Sequence, residues 1–174
     1  MSLANKQLED IIGKLKRTLK EAISKTAMQE VGNFTASLIV KRTRLGYGVT
    51  NFTEGKKLLA PLKASTVKRR SMFAGLDGTT RPGKSNLTMT GQMLRSMRAR
   101  VEGTGAVVIE PTGERSGNAK NKPTNYQVAQ FAHDGAPGRR PRIFNRISKA
   151  EFNQVKRFYR KTFGDLLRLR KLIT

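Results

Sequence analysis

The sequence predicts an α+β fold, in which a long N-terminal helix and a long C-terminal helix pack on a small antiparallel sheet, with extended loops between. Three observations carry this. Apolar residues recur every three or four positions through the first forty residues, with no proline before Pro61. A capping box at Ser148 opens a second apolar stripe near the C-terminus. Between them lies one alternating hairpin, around residues 98–110. The length of 174 residues suits a single domain. It divides into a long helix at 1–41, a middle of loops, short helices and hairpin at 42–147, and a terminal helix at 148–174.

The first stripe is Leu8, Ile11, Ile12, Leu15, Leu19, Ala22, Ile23, Ala27, Val31, Phe34 and Leu38, with Gly13 and Gly32 as its weak points. A helix from about residue 4 to 41 would be about 55 Å long, longer than a compact domain of this size needs. Part of it should project or pack on another chain. Two readings of the stripe stay open. It is one side of the core, or it also forms an intersubunit seam, for which Leu15, Leu19 and Ile23 are the candidates.

Residues 42–60 hold Gly46, Gly48 and Gly55 and read as loop. A short helix follows at about 65–74, capped by Ser65 or Thr66 and exposing Lys68, Arg69 and Arg70. Residues 74–86 are Gly- and Thr-rich and read as a flexible loop. Thr90 then caps a helix through Gly91–Met97. The hairpin pairs Arg98–Val101 with Ala106–Glu110 across Glu102-Gly-Thr-Gly105. A second long loop occupies 111–125, and Tyr126–His133 is a short helix stopped by Asp134-Gly135. An extended cationic segment, Gly135–Arg142, leads to a short strand or extended piece at Ile143-Phe144. In the last helix Ser148 and Glu151 satisfy each other's amides, and Phe152, Val155, Tyr159, Phe163 and Leu166 continue the stripe.

Composition narrows function. Thirty-five Lys plus Arg against twelve Asp plus Glu give a net charge of +23. The excess is spread over the chain: +6 in residues 1–60, +8 in 61–122 and +9 in 123–174. The folded surface itself should therefore be basic, with an acidic partner or a complementary subunit close by. With no Cys and one His, neither a thiolate site nor a His-rich metal site can be built. No apolar run approaches a membrane span, and the first residues lack a secretory h-region, so the chain is expected in the cytoplasm or in something assembled there.

No catalytic constellation emerges, and the sequence reads as a non-enzyme without cofactor or metal. His133 and Asp134 are adjacent, so their side chains diverge, and His133 reads as a capping or surface residue. Glu102 and Glu110 could meet across the hairpin, but a solvated edge is the simpler reading. Gly103-Thr-Gly105 lacks the rest of a dinucleotide fingerprint. The basic clusters are the signal: Lys41-Arg42-Thr-Arg44, Lys68-Arg69-Arg70, Arg95/Arg98/Arg100 and Arg139-Arg140-Pro-Arg142. Arginine pairs bidentately with carboxylate or phosphate. Nucleic acid, acidic protein surfaces and acidic patches on copies of the same chain all fit.

Several segments then combine in order: Arg42-Thr-Arg-Leu-Gly-Tyr-Gly-Val49, Leu59-Ala-Pro-Leu62, Ser65-Thr-Val-Lys-Arg-Arg70 and Ser85-Asn-Leu-Thr-Met-Thr-Gly-Gln-Met-Leu-Arg-Ser-Met97. The hairpin, Tyr126-Gln-Val-Ala-Gln-Phe-Ala-His-Asp-Gly135 and Arg140-Pro-Arg-Ile-Phe144 follow before the terminal helix. Across most of residues 40–170 this order and spacing resembles the tail-completion and neck (head–tail joining) proteins of tailed bacteriophages. Two departures stand out: the spaced Phe131-Ala-His-Asp-Gly135, and Ile143-Phe144-Asn145 in place of the family's usual Phe-Leu or Phe-Met.

The resemblance implies a structural virion protein, assembled in the host cytoplasm, that closes into a ring at the neck. A hexamer is favoured and a dodecamer is the other common size. Implied neighbours are portal or head-completion proteins on one side and tail-terminator or tail-tube proteins on the other, with non-specific contact to DNA in the channel. Interface candidates are Leu15, Leu19, Ile23, Arg42, Arg44, Arg69, Arg70, Arg98, Arg100, Arg139, Arg140 and Arg142. The competing reading is a basic nucleic-acid-binding protein of ribosomal or nucleoid type, which needs only the charge and backbone contacts.

Overall fold

The computed structural model describes residues 3–72, 83, 91–103, 106–115, 122–135 and 140–171, without side chains for 3–12, 14–16, 18–23, 167 and 169–171. The expected loop at 74–86, the Thr90 cap, Arg139, and the side chains of Leu15, Leu19 and Ile23 lie outside the described residues. The architecture is α+β. In chain order the elements are α1 (Leu3–Arg44), β1 (Tyr47–Gly48), β2 (Lys57–Leu58), α2 (Ala64–Ser71), α3 (Gln92–Arg95), β3 (Met97–Glu102), β4 (Ala106–Pro111), α4 (Asn125–Asp134) and α5 (Lys149–Lys171).

The two long helices run antiparallel. Arg42 of α1 meets Glu151 of α5, and two turns back Phe34 stacks on Phe158 with ring centroids 4.3 Å apart. That register sets the end of α5 beside about residue 21 of α1. The N-terminal portion of α1 therefore continues about 27 Å past the last described residue of α5.

The packed face of α1 in its C-terminal half is Ala27, Val31, Gly32, Thr35, Ala36, Ile39 and Thr43. This is rotated from the predicted stripe, whose Phe34 and Leu38 are only half-buried. Small residues take the centre because the β3–β4 hairpin lies almost directly on the helix. A Cβ on Gly32 would stand 2.5 Å from Val107 Cγ1 and 2.6 Å from the Ala99 Cβ. The glycine that looked like a helix-weakening residue is thus the point of closest approach.

The predicted hairpin is present in register, with Met97 opposite Pro111 and Glu102 opposite Ala106. Alternation turns Met97, Ala99 and Val101 to one face and Arg98, Arg100 and Glu102 to the other. Side-chain amides cap its backbone: Gln29 donates to the Ala99 carbonyl at 2.8 Å and Asn145 to the Ile109 carbonyl at 3.2 Å. Pro111 has no amide to offer, so both edges are blunted against strand addition.

The sheet differs from expectation in being two separate two-stranded hairpins. Within the segment read as loop, β1 pairs with β2, Tyr47 opposite Leu58. The approach of the 142–144 segment accounts for Gly48, whose added Cβ would collide with the Ile143 carbonyl, and that carbonyl accepts a bond from the Val49 amide at 3.2 Å. Ile143-Phe144 is not part of a strand.

Helix starts also differ. α2 begins one residue early, at Ala64, with Lys63 as an N-cap that makes no side-chain bond, so Ser65 and Thr66 fall inside its first turn. α4 begins on Thr124, which with Gln127 forms a complete capping box. The box predicted for α5 is present: Glu151 Oε2 accepts from the Ser148 amide and hydroxyl, both at 2.9 Å. The core joins Ile39, Leu59, Met93, Leu94, Met97, Ala129 and the fully buried Phe144.

Candidate functional site

The arginines proposed from sequence divide into an inward and an outward set. Arg42 belongs inside. Its guanidinium reaches Glu151 Oε2 at 2.6 Å, the Arg146 carbonyl at 2.8 Å and the Phe144 carbonyl, with only 2% of its side chain exposed. Burial pulls the guanidinium below its ordinary value, and the charge and hydrogen bond of Glu151 oppose that pull. Arg42 therefore locks α1 to the start of α5 and cannot meet a neighbouring subunit, which corrects its assignment to the interface.

Arg70 needs the same correction. It is 2% exposed because it lies about 200° around α2 from the exposed Lys68. Arg142 is half-buried, and its guanidinium reaches the Ala60 and Pro61 carbonyls at 3.4 Å while its amide donates to the Ala132 carbonyl at 2.7 Å. Its visible work is to tie the segment before Phe144 to the chain after β2. Arg44 is half-buried at the end of α1.

Arg69, Arg98, Arg100 and Arg140 are exposed. Arg100 bridges Glu102 at 2.8 Å and Glu110 at 3.6 Å on the solvent face of the hairpin. The two carboxylates thus meet through the guanidinium rather than each other. On the β1–β2 loop, the Lys57 ammonium hydrogen-bonds to Glu54 and holds that carboxyl below the usual carboxylate range.

Two surface features escaped the sequence reading. The first is apolar: Leu45, Tyr47 and Leu58 are 51%, 38% and 74% exposed, and Tyr47 and Leu58 are cross-strand neighbours. Exposed apolar side chains grouped in this way beside Arg44 are a surface that a partner could cover. Its trace in the sequence is the alternation of Leu45 and Tyr47, too short to read as a strand. The second is cationic. Lys149, Lys156, Arg157, Arg160, Lys161 and Arg168 of α5 are all exposed, and a helical wheel of 149–168 would have found them.

The predicted α5 stripe is present in part. Of its residues Val155, Tyr159, Phe163 and Leu166 are half-buried, the packed face widens to take in the buried Glu151 and Thr162 and the half-buried Phe158, and Phe152 alone is exposed, at 44%, where it meets Phe52 edge-on. A cavity of about 220 Å³ opens between α4 and the 144–146 segment, lined among others by Glu110, Tyr126, His133 and Arg146. His133 is half-buried with its ring edge-on to Phe144, so it serves as packing at the helix end. Among the described residues no group of three His, Asp or Glu could hold a metal ion, and no helix is long and apolar enough to cross a membrane. No protein-family model, curated protein or solved structure matches the chain.

Proposed function

We propose that the chain is a structural protein of a tailed-phage virion, closing into a ring at the neck that completes the tail and joins it to the DNA-filled head. The observation that carries this reading is the projecting part of α1. About eighteen residues run beyond the end of α5, and the sequence there keeps Leu8, Ile11, Ile12, Leu15 and Leu19 at helical spacing. An apolar helical stripe of that length calls for a second chain. The Leu45, Tyr47 and Leu58 cluster lies at the far end of the same helix.

A cyclic ring needs two different surfaces on each subunit, since every contact is head-to-tail. The projecting stripe and the apolar cluster supply such a pair, and the blunted β3–β4 edges favour side-chain packing over strand addition. A hexamer is favoured, with a dodecamer as the other size. The exposed Arg69, Arg98, Arg100 and Arg140 then meet acidic surfaces of the neighbour or of the adjoining head and tail components. No step of this role needs a cofactor or a catalytic residue.

Immunogold labelling of intact particles of the encoding phage tests the placement. Gold confined to the head–tail junction is the expected result. Gold over the capsid shell or the tail tip, or particles free of label while the protein stays in the soluble fraction, would overturn the reading.

A further inference from the structure

Among the described residues, six exposed bases of α5 form one continuous face. At about 100° per residue, Lys149, Lys156, Arg157, Arg160, Lys161 and Arg168 fall within a sector about 140° wide, opposite the packed residues Glu151, Val155, Phe158 and Thr162. Lys149 and Lys156 border one flank, Lys161 and Arg168 the other, and Asn153 and Arg160 run between them. Among the described residues of α5, Asp165 is the one carboxylate near this sector, and it reaches Arg168 only at 3.9 Å with both side chains largely in water. That pair neutralises little.

We propose that this face of α5 binds the phosphate backbone of duplex DNA, without reading its sequence. The face is about 29 Å long, and a duplex presents a negative charge about every 1.7 Å of its axis. Phosphates therefore outnumber the bases along the contact, and every base finds one without a special register. An acidic protein would instead need carboxylates placed to match a fixed pattern. A helix about 10–12 Å across also matches a major groove about 12 Å wide. With α1 covering the inner side, α5 rides along the groove mouth, and its two basic flanks reach the phosphate rows on either side. The contact belongs to a single chain and does not depend on ring closure.

The test is fluorescence anisotropy of a labelled, mixed-sequence duplex titrated with the full chain across a salt series. One variant carries Lys156→Gln, Arg157→Gln, Arg160→Gln and Lys161→Gln. A control carries the same charge change at the exposed Lys25, Lys41, Lys56 and Lys63, each to Gln. Glutamine matches Lys and Arg in helix propensity, and circular dichroism checks that both variants fold. The log–log salt slope should fall by about 3–4 in the α5 variant, at about 0.9 per lost phosphate contact, and by less than about 1 in the control. Equal losses in the two variants would overturn the proposal, because the binding would then be diffuse. So would an unchanged α5 variant, or a wild-type chain that leaves the duplex free at low salt.

Discussion

The Arg42 guanidinium and the Glu151 carboxylate meet at 2.6 Å across 109 residues of sequence, both almost wholly withdrawn from water. The same Glu151 oxygen closes the capping box with Ser148. One carboxylate thus starts α5 and fastens it to the end of α1.

Breaking this pair should be costly. Arg42→Met leaves a buried carboxylate and two carbonyls without their donor, and a loss of about 3–5 kcal/mol is expected. Glu151→Gln keeps an oxygen for the cap and should lose less. Urea denaturation of both single variants and the double variant measures the coupling; a double variant as unstable as the sum of the singles would show that the two side chains do not act together.

Two glycines of α1 should respond to alanine with opposite signs. Gly32→Ala forces a methyl against Val107 and Ala99 and should cost about 1–3 kcal/mol through overpacking. Gly13 has open space where its Cβ would be, so Gly13→Ala should stabilise by up to about 1 kcal/mol. Thermal melts of the two variants, shifted in opposite directions, are the expected outcome.

Glu54 gives a signed pH effect. Its carboxyl titrates below the ordinary range because of Lys57, so the folded state favours the charged form. The stabilisation is present above the unfolded carboxylate pKa and fades as pH falls through the lowered folded value. Being fully solvated, it is small and salt-sensitive. NMR titration of the Glu54 side chain should give a midpoint below that of free glutamate, and Lys57→Gln should bring it back up.

Leu58 separates assembly from folding. At 74% exposure, Leu58→Asp should change stability by no more than about 0.5 kcal/mol. If the Leu45, Tyr47 and Leu58 cluster seats a neighbouring subunit, the same change should stop the protein entering particles. Normal incorporation, measured by mass spectrometry of purified virions, would remove the cluster from the interface.

What could be read from the sequence follows the range of the interactions. The Ser148–Glu151 box and the 97–111 hairpin are local patterns, and both stand where the residues placed them. Thr124 and Gln127 carry the same kind of box, hidden because the preceding stretch was read as one long loop. The two-residue strands β1 and β2 are too short to show a period. The burial of Arg42 and Arg70 depends on tertiary neighbours, and composition alone counts both as surface charge. The α5 stripe holds at Val155, Tyr159, Phe163 and Leu166; what the sequence hid is that Glu151 and Thr162, polar by type, are buried by pairing or packing, while Phe152 turns outward against Phe52.

The neck assignment is tested most directly by inactivating the gene in the encoding phage and viewing the lysate by negative-stain electron microscopy. DNA-filled heads lying beside unattached or overlong tails are the expected result. Complete, normally joined virions would contradict it and leave the cationic face of α5 as the starting point for a different function.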